Sequence, residues 1–441
     1  MRRSGLLFSL YLLAALMIGS PLVSAEPAEG VRIALGHSTA PLNGPWRFHV
    51  GDGPRWSSPD FDDSAWETVD LTPAPGAHDD DVGLPGYVSG WSRRGHAGYT
   101  GFAWYRIKVA VDSDEGIPLA LAGPTLVDSA YQLYVDGKLL GGSGGFTGTV
   151  PTVYGVRPSV FPLSSAPSAG TSTYVIAFRV WMDPMYAGAD SGGIHVAPTL
   201  GHADGIALLH QAQWLKTFTG YVADAVEPFA FVVLALMVVA LMACRTGDAY
   251  RWLAAALIIL ALLRVKQALF FWTDWLSLGW VAAIVIVLTP LSLAAWTLAW
   301  RDWFRLDRPA WLGRAVGVLA VVYVVFVCVR QPWFMAGAPH GLKAVAHGVT
   351  ASVRLAYAAL YLWIIGRGLR RSPKPSTCLA ALAAVLVGIG LFATEVSALG
   401  IPGIWFPYGV GVARGQYAYA AFIAVLFVLI LQRSIGYARR G

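Results

Sequence analysis

The sequence reads AFVVLALMVVALMAC over residues 230–244 and AAFIAVLFVLIL over residues 420–431. Neither stretch carries the polar stripe that a helix of a soluble protein keeps on its exposed face. Each belongs to an apolar run of roughly 20 residues, the length that a helix needs to cross a bilayer core. Because unpaired backbone groups are costly in lipid, each run is predicted to be a helix. Membrane spans, rather than a very apolar soluble helical domain, are therefore expected here.

Seven such runs follow one another in the C-terminal half. They are Val222–Cys244, Tyr250–Trp272, Leu278–Trp300, Trp311–Val329, Val345–Gly366, Thr377–Leu399 and Gln416–Gln432. The chain of 441 residues is 56% hydrophobic and only 13% charged, whereas a soluble domain is about one-quarter charged. An all-α seven-helix transmembrane bundle is predicted over residues 222–433, with a short cytoplasmic tail over 434–441.

Lysine and arginine concentrate in alternate loops. One set of loops, with the C-terminal tail, holds Arg245, Arg251, Arg301, Arg305, Arg308, Arg314, Arg367, Arg370, Arg371, Lys374, Arg433, Arg439 and Arg440. The other set holds Lys216, Arg330, Lys343 and Arg414. The positive-inside rule places the richer set in the cytoplasm. This predicts a multi-pass protein of the bacterial inner membrane with its N-terminal part periplasmic. It also explains the net charge of +6 without a nucleic-acid partner.

The N-terminus has the pattern of a secretory signal peptide over residues 1–25. Arg2 and Arg3 precede the apolar run Gly5–Gly19, and small residues end at Ala25, after which cleavage is predicted. An uncleaved membrane anchor is the alternative. Both interpretations export the segment that follows.

Residues 27–205 are of a different kind. They are rich in Gly, Pro, Asp, Trp and Tyr, and contain about eight short strand-like runs between turn signals. In WYRIKVAV, alternate side chains from Tyr105 to Val111 are predicted to face one core. The dipeptide Asp136-Gly137 is typical of a two-residue hairpin turn. Short strands without helices between them favour an all-β jelly-roll sandwich.

A polar-apolar segment, Ile206–Tyr221, joins this part to the first span. It is predicted to be a short juxtamembrane helix. A short connector transmits displacement better than a flexible linker, which favours a signal-transmitting helix. A passive interfacial anchor is the alternative.

Three stretches resemble the N-terminal sugar-binding jelly roll of family 2 glycoside hydrolases. They read LNGPWRFHVGDGPRWSSPDFDDSAWETVDL at 42–71, GYTGFAWYRIKVAV at 98–111 and SAYQLYVDGKLLGGSGGF at 129–146. A jelly roll in front of seven helices is similar to the bacterial seven-transmembrane receptors with diverse intracellular signalling modules. The resemblance implies a galactose-binding-like sandwich that senses a carbohydrate. It implies no hydrolysis, because in the hydrolases the catalytic carboxylates lie on a separate TIM barrel.

We therefore expect a non-enzymatic, receptor-like membrane protein without a cofactor. Its partners would be a carbohydrate or envelope saccharide, membrane lipid and a cytoplasmic signalling protein in trans. The partner in trans is expected because no output module follows the last span, although a truncated gene model would give the same pattern. The alternatives are a transporter or envelope-assembly component with a substrate-capturing lid, and a membrane-anchored glycosidase.

The candidate ligand site is the glycine-rich loop GYVSGWSRRGHAGYTG at residues 86–101. Its aromatic and charged residues suit a saccharide, and loops on a rigid scaffold are where binding residues concentrate. They are Tyr87, Trp91, Arg93, Arg94, His96 and Tyr99. The alternative is an ordered loop whose aromatics pack on the sandwich or on the membrane surface.

Five ionisable residues fall within the predicted spans. They are Glu227, Arg264, Lys266, Arg354 and Glu395. Each costs about 2.5–3.5 kcal/mol near the bilayer centre if it is left alone. The predicted topology puts all five in the outer half, which suggests an ion-pair network or a polar pocket. Snorkelling of the side chains to the interface is the alternative.

Neither a catalytic residue nor a metal site is predicted. Asp62 and Asp63 are interpreted as turn chemistry rather than as a glycosidase pair, and a calcium site at Asp79–Asp81 is the less favoured alternative for that run. The three cysteines, Cys244, Cys328 and Cys378, lie in or beside apolar runs and form no CxxC motif.

Overall fold

The computed structural model describes residues 31–34, 39–78, 85–113, 117–163, 170–186, 188, 190–243, 250–306, 309–331, 334, 340–397 and 414–438. The predicted signal peptide, the run Asp79–Asp81 and Cys244 lie outside these residues. The chain forms a β region up to His202 and a helical region from Ala203 onward.

The β region consists of two sheets. Its strands are β1 (Val31–Ala34), β2 (Thr39–Pro41), β3 (Trp46–Val50), β4 (Glu67–Val69), β5 (Gly101–Ser113), β6 (Leu119–Ala122), β7 (Ala130–Val135), β8 (Lys138–Ser143), β9 (Val160–Pro162), β10 (Gly170–Met182) and β11 (Thr199–His202). The larger sheet has the order β4-β3-β5-β10-β7-β8, with β1 pairing parallel to β5. The smaller sheet has the order β2-β11-β6-β9.

One apolar core lies between the two sheets. Tyr105 and the alternate residues up to Val111 enter it from β5, as predicted, and Phe161 and Leu200 enter it from the smaller sheet. The indole of Trp46, which is fully buried, donates a hydrogen bond to the carbonyl oxygen of Leu42 at 2.7 Å. The alternation of side chains along β5 therefore determines which face of the larger sheet is covered.

The predicted hairpin turn lies between β7 and β8. Asp136 and Gly137 have φ angles of 48° and 81°, as a type I′ turn requires. The carboxylate of Asp136 also accepts the backbone N–H of Val175 at 2.8 Å, which fixes the turn against β10.

The outer face of the larger sheet buries a charge. The Arg106 side chain is only 2% exposed, and its Nε donates to Asp63 at 2.8 Å. Its guanidinium also donates to the carbonyl oxygens of Trp56 and Phe61. The segment that carries Asp63 therefore covers this face and satisfies the buried cation.

The neighbouring residues of this segment have structural roles as well. Asp62 accepts the backbone N–H of Ser64 at 3.0 Å, which is the turn chemistry expected for it. Trp66 and Trp104 are buried together in a second, smaller apolar cluster on this face. Both indoles are therefore buried side chains, outside the main core between the sheets.

The helical region contains α1 (Ala203–Leu241), α2 (Arg251–Trp272), α3 (Leu278–Trp303), α4 (Trp311–Val329), α5 (His340–Arg371), α6 (Pro375–Leu391), α7 (Ala393–Ser397) and α8 (Arg414–Ala438). Helices α1 to α5 pack in sequence order, and α8 packs against both α1 and α6. Trp296, Trp300, Tyr357 and Phe422 are among the large side chains buried in their common core.

Six of these helices, α1 to α5 and α8, are long and apolar enough to cross a membrane. The run Thr377–Leu399, predicted as one span, is instead divided: α6 has 17 residues and ends at Leu391, and the five-residue helix α7 follows Phe392. The break is tolerated because the carbonyl oxygen of Leu391 accepts a hydrogen bond from Arg354 at 3.1 Å.

The predicted connector is not a separate element. Residues 206–221 and the first predicted span form the single 39-residue helix α1. A helix can continue through this stretch because it contains neither glycine pairs nor proline before Pro228. The last helix likewise continues past residue 433 to Ala438.

Candidate functional site at the joint of the two regions

The β region and α1 meet without a linker. Strand β11 ends at His202 and α1 begins at Ala203, whose backbone N–H donates to the carbonyl oxygen of Pro118 at 2.9 Å. Ile206, one turn later, is fully buried against Ala120 and Ala122 of β6. The start of α1 is therefore fixed to the smaller sheet.

A second attachment joins the β8–β9 connection to the turn between α2 and α3. The backbone N–H of Leu278 donates to the carbonyl oxygen of Val153 at 2.9 Å. Arg157 forms an ion pair with Asp274 and donates to the carbonyl oxygen of Trp272 at 3.3 Å. Two separate contacts thus hold the β region on the helices.

A cavity of about 380 Å³ lies between these two attachments. Residues of the β region form one wall, and α1 and the end of α2 form the other. Its polar lining residues are Thr125, Asp128, Ser129, Gln213, Lys216 and Thr217, and its aromatic ones include Tyr221, Phe270 and Phe271. A pocket of this size with a few polar groups on apolar walls is typical of a small-molecule site.

Two groups in the cavity are available to a ligand. The side-chain oxygen of Gln213 is buried and has no hydrogen-bond partner. Within the described residues, Lys216 has no carboxylate within ion-pair distance. Gly155 keeps the opposite wall close, because a Cβ there would lie 2.6 Å from the carbonyl oxygen of Phe270.

Three of the six residues predicted in the glycine-rich loop hold the loop itself. The buried indole of Trp91 donates to the carbonyl oxygen of Tyr99 at 3.2 Å. The hydroxyl of Tyr99 donates to the carbonyl oxygen of Phe102 at 2.6 Å. His96 pairs with Glu67 at 3.0 Å. These contacts of Trp91, His96 and Tyr99 are those of an ordered loop, which was the alternative to a ligand site.

Two others, Tyr87 and Arg93, converge on one carboxylate. Asp190 accepts the backbone N–H of Gly90 at 2.8 Å and lies 3.4 Å from the guanidinium of Arg93, whose side chain is 56% exposed. The hydroxyl of Tyr87 also hydrogen-bonds to Asp190, and burial together with the nearby negative charge raises the pKa of Tyr87. Arg94, the sixth residue, is half-buried.

The ring of Tyr87 stacks on a buried histidine. Its centroid lies 4.8 Å from that of His195, with the planes 5° apart. The Nδ1 of His195 lies 2.9 Å from the carbonyl oxygen of Val88 and its Nε2 lies 3.0 Å from Asp128. Both partners are acceptors, an arrangement that is satisfied when both ring nitrogens donate, as they do in a cationic imidazole. Burial lowers the pKa of His195, but hydrogen bonds and charge from Asp128 outweigh it and raise the pKa.

Asp128 links this cluster to the cavity. It lines the cavity, accepts the backbone N–H of Gly192 at 2.6 Å and pairs with His195. A continuous set of contacts therefore runs from the exposed Arg93 through Asp190, Tyr87, His195 and Asp128 to the joint.

Asp128, Asp190 and His195 were not predicted as site residues. Asp190 and His195 contact the loop from about 100 positions further along the chain, and Asp128 is linked to it through His195. Nothing in their local sequence indicates these contacts. In the sequence, the pair Gly192-Gly193 is the one feature that marks this region as structurally constrained. Both glycines have positive φ angles, and a Cβ at either would lie 2.1 Å from a side chain of the core.

In the helices, the structure groups the predicted charges into two separate sets. Arg264 forms ion pairs with Asp224 and, at 2.7 Å, with Glu227. Gln416 of α8 donates to Asp224 at 2.9 Å, and the ring of Tyr419 lies 5.4 Å from the guanidinium. Asp224 was missed, although its spacing of three from Glu227 puts both on one helix face.

The second set is a bidentate pair. The Nε and Nη2 atoms of Arg354 lie 2.5 and 2.7 Å from the two oxygens of Glu395, beside the break between α6 and α7. The ammonium of Lys266 donates to Gln267 at 2.8 Å instead of joining either set. A single network of all five residues is therefore not formed.

No protein-family model and no curated protein matches the chain. Solved structures do match part of it. A family 2 glycoside hydrolase of Bacteroides cellulosilyticus is 21% identical over 37% of this chain and 20% of its own, with a TM-score of 0.26. The β-glucuronidase of Bacteroides uniformis is 19% identical over 37% of this chain and 17% of its own, with a TM-score of 0.26.

A third match is the Bifidobacterium dentium β-glucuronidase complexed with coumarin-3-O-glucuronide. It is 18% identical over 34% of this chain and 22% of its own, with a TM-score of 0.24. The chain thus spans about a fifth of the length of these proteins. At these values the likeness carries no argument about this chain's substrate. The comparisons also give no support to the resemblance to seven-helix receptors.

The prediction that the chain is not an enzyme is corrected here. The solved structures reported above are glycosidases, and they contradict this prediction. The same matches do not establish an activity, because they cover only 37% of the chain at about 20% identity.

Proposed function

We propose that this is an integral membrane protein of receptor type, whose β region is a galactose-binding-like jelly roll that binds a carbohydrate or envelope saccharide. Binding displaces α1 and α2, and the change reaches a partner protein in trans at the other end of the helices. The loop charges support a bacterial inner-membrane location with the β region periplasmic and the C-terminus cytoplasmic.

The observation that carries the proposal is the direct continuation of β11 into α1. With no residue between His202 and Ala203, a rotation of the smaller sheet turns the helix that contains the first candidate span. The second attachment, at Arg157 and Asp274, applies the same movement to α2 and α3. Interfaces with two discrete packings are the usual means of such transmission.

We assign the saccharide to the exposed edge formed by Tyr87, Arg93 and Asp190. A carboxylate and a guanidinium side by side suit sugar hydroxyls, and the half-buried Tyr87 offers an aromatic edge. Any movement of Tyr87 alters its stacking on His195 and hence the contact of Asp128 with the joint cavity. These contacts form a route by which binding at the exposed edge is coupled to the cavity at the joint.

The test is a glycan array probed with the full-length chain in detergent. Wild type should bind a defined glycan, and the double variant Tyr87→Ala/Arg93→Ala should bind it at least tenfold more weakly. Lys138→Ala is the matched control, because this exposed lysine lies in the hairpin of β8 and should not alter binding. If wild type binds nothing on a broad array, the saccharide assignment fails.

A second function, transport or envelope assembly, is favoured by one observation. Buried side-chain oxygens of Glu227 and Gln416 have no hydrogen-bond partner inside the helical region, and such groups mark substrate pathways in membrane proteins. A transporter should move the glycan identified on the array into proteoliposomes and lose uptake with Glu227→Gln. A receptor should move none.

A further inference from the structure

The end of the helical region remote from the β region contains a polar pocket. Helix α3 begins against the β region at Leu278 and ends at Trp303, so its C-terminus marks the far end. There the C-terminal ends of α3, α5 and α8 and the N-terminal end of α6 surround a cavity of about 640 Å³.

Four cationic side chains line this pocket. They are Arg305, Arg371, Lys374 and Arg433, and none of the described lining residues is acidic. The hydroxyls of Ser376 and Thr377 also line it, at the first turn of α6. A helix N-terminus favours an anion through its free N–H groups and its dipole. The lining therefore combines four positive charges with hydroxyl and amide donors.

Two of the arginines are held in place. The guanidinium of Arg433 lies 4.4 Å from the ring centroid of Trp303 and donates to the hydroxyl of Tyr250. Arg371 donates to the carbonyl oxygen of Arg305, whose φ of 55° is one that non-glycine residues seldom adopt. Residues held in such conformations cluster at functional sites.

The floor of the pocket is close-packed. Phe304 lies directly on Gly368, where a Cβ would be 2.5 Å from the aromatic ring. This contact brings the ends of α3 and α5 together beneath the cationic groups. The pocket is larger than a single phosphate requires, so it has room for the molecule to which a phosphate is attached.

We infer that this pocket binds a phosphate-bearing anion. Guanidinium groups match phosphate oxygens in a bidentate manner, and lysine adds a point charge. The same chemistry occurs in the headgroup of an anionic phospholipid and in a soluble phosphorylated compound. The site is independent of the saccharide-binding function proposed above.

The positive-inside rule alone does not account for this arrangement. That rule requires cationic residues only somewhere in the loops. Arg367 and Arg370 satisfy it on the same helix end, but neither lines the pocket. They therefore provide a control with the same loss of charge.

The test compares two double variants of the full-length chain, Arg371→Gln/Lys374→Gln and the control Arg367→Gln/Arg370→Gln. Delipidated protein in neutral detergent is titrated with inorganic pyrophosphate by calorimetry. In parallel, protein in phosphatidylcholine nanodiscs with or without phosphatidylglycerol is analysed by native mass spectrometry for retained lipid.

The pocket variant should bind one probe or both at least tenfold more weakly than wild type, and the control should match wild type. Loss of pyrophosphate binding identifies a soluble ligand, whereas loss of retained phosphatidylglycerol identifies a lipid headgroup. The inference is overturned if wild type binds neither probe, if the pocket variant binds both like wild type, or if both variants lose binding equally. Circular dichroism of each variant shows whether the helices are retained.

Discussion

Two buried arginines, Arg106 in the β region and Arg264 in the helical region, have their hydrogen-bonding partners satisfied to different degrees. In the β region, Arg106 is enclosed by Asp63 and two carbonyl oxygens, so its donors have acceptors. In the helical region, Arg264 is shared by two carboxylates, and one oxygen of Glu227 has no partner. A satisfied network fixes a single structure, whereas a partly satisfied one retains alternatives of similar energy. The contrast predicts that the site at Arg106 is the more rigid of the two.

The largest expected effect tests the rigid side of this contrast. Asp63→Ala leaves the Arg106 cation buried without a counter-charge, which costs about 3 kcal/mol. Amide hydrogen exchange in β3, β5 and β10 should then be roughly 100-fold faster. The control is Asp60→Ala, an exposed aspartate of the same segment. Equal exchange in the two variants would contradict a structural role for Arg106.

The next effect concerns the bidentate pair beside the helix break. Glu395→Gln removes the charge that Arg354 contacts but leaves its hydrogen bond to Leu391, so a loss of about 1.5–2 kcal/mol is expected. Faster hydrogen exchange confined to α6 and α7 is the measurement. Asp302→Asn, which alters a pair at the far end of α3, should leave that exchange unchanged.

A smaller effect should separate the two carboxylates at Arg264. Asp224→Asn disturbs contacts with both Arg264 and Gln416 and should cost about 1 kcal/mol. Glu227→Gln should change stability by less than about 0.5 kcal/mol, because one carboxylate still neutralises the single guanidinium. Thermal unfolding of the two variants side by side decides this. A larger loss of stability for Glu227→Gln than for Asp224→Asn would mean that the ion pairs of Arg264 are as strictly required as that of Arg106.

Much of the fold was predictable from local sequence patterns. Alternation from Tyr105 to Val111 predicted the core face of β5, and the Asp136-Gly137 pair predicted the turn between β7 and β8, because both signals depend only on neighbouring residues. Six apolar runs form helices of spanning length. The break after Leu391 was not predictable, since Arg354, which donates to the carbonyl oxygen of Leu391, lies on another helix.

The candidate site was predictable only in part. The loop with Tyr87 and Arg93 stood out by composition, but composition cannot distinguish an exposed aromatic from a packed one such as Trp91. The cavity at the joint could not be foreseen, because its walls come from segments far apart in the chain. Similarly, Asp128 and His195 gain their roles only through the contact between them.

The smallest expected effect concerns the contact of His195 with Asp128 in the β region, because histidine is the side chain that changes charge near neutral pH. The folded-state pKa of His195 is raised, so the folded protein binds more protons than the unfolded one above about pH 6.5. This contribution to stability is fully present below that pH and is lost as the pH rises through the folded pKa. Asp128→Asn should therefore remove part of the decline in melting temperature between neutral and mildly alkaline pH. The exposed Asp60 serves as control, since Asp60→Asn removes the same charge without touching His195 and should leave the decline unchanged. If Asp128→Asn and wild type show the same pH dependence, His195 is not cationic, and its contact with Asp128 holds the joint without sensing protons.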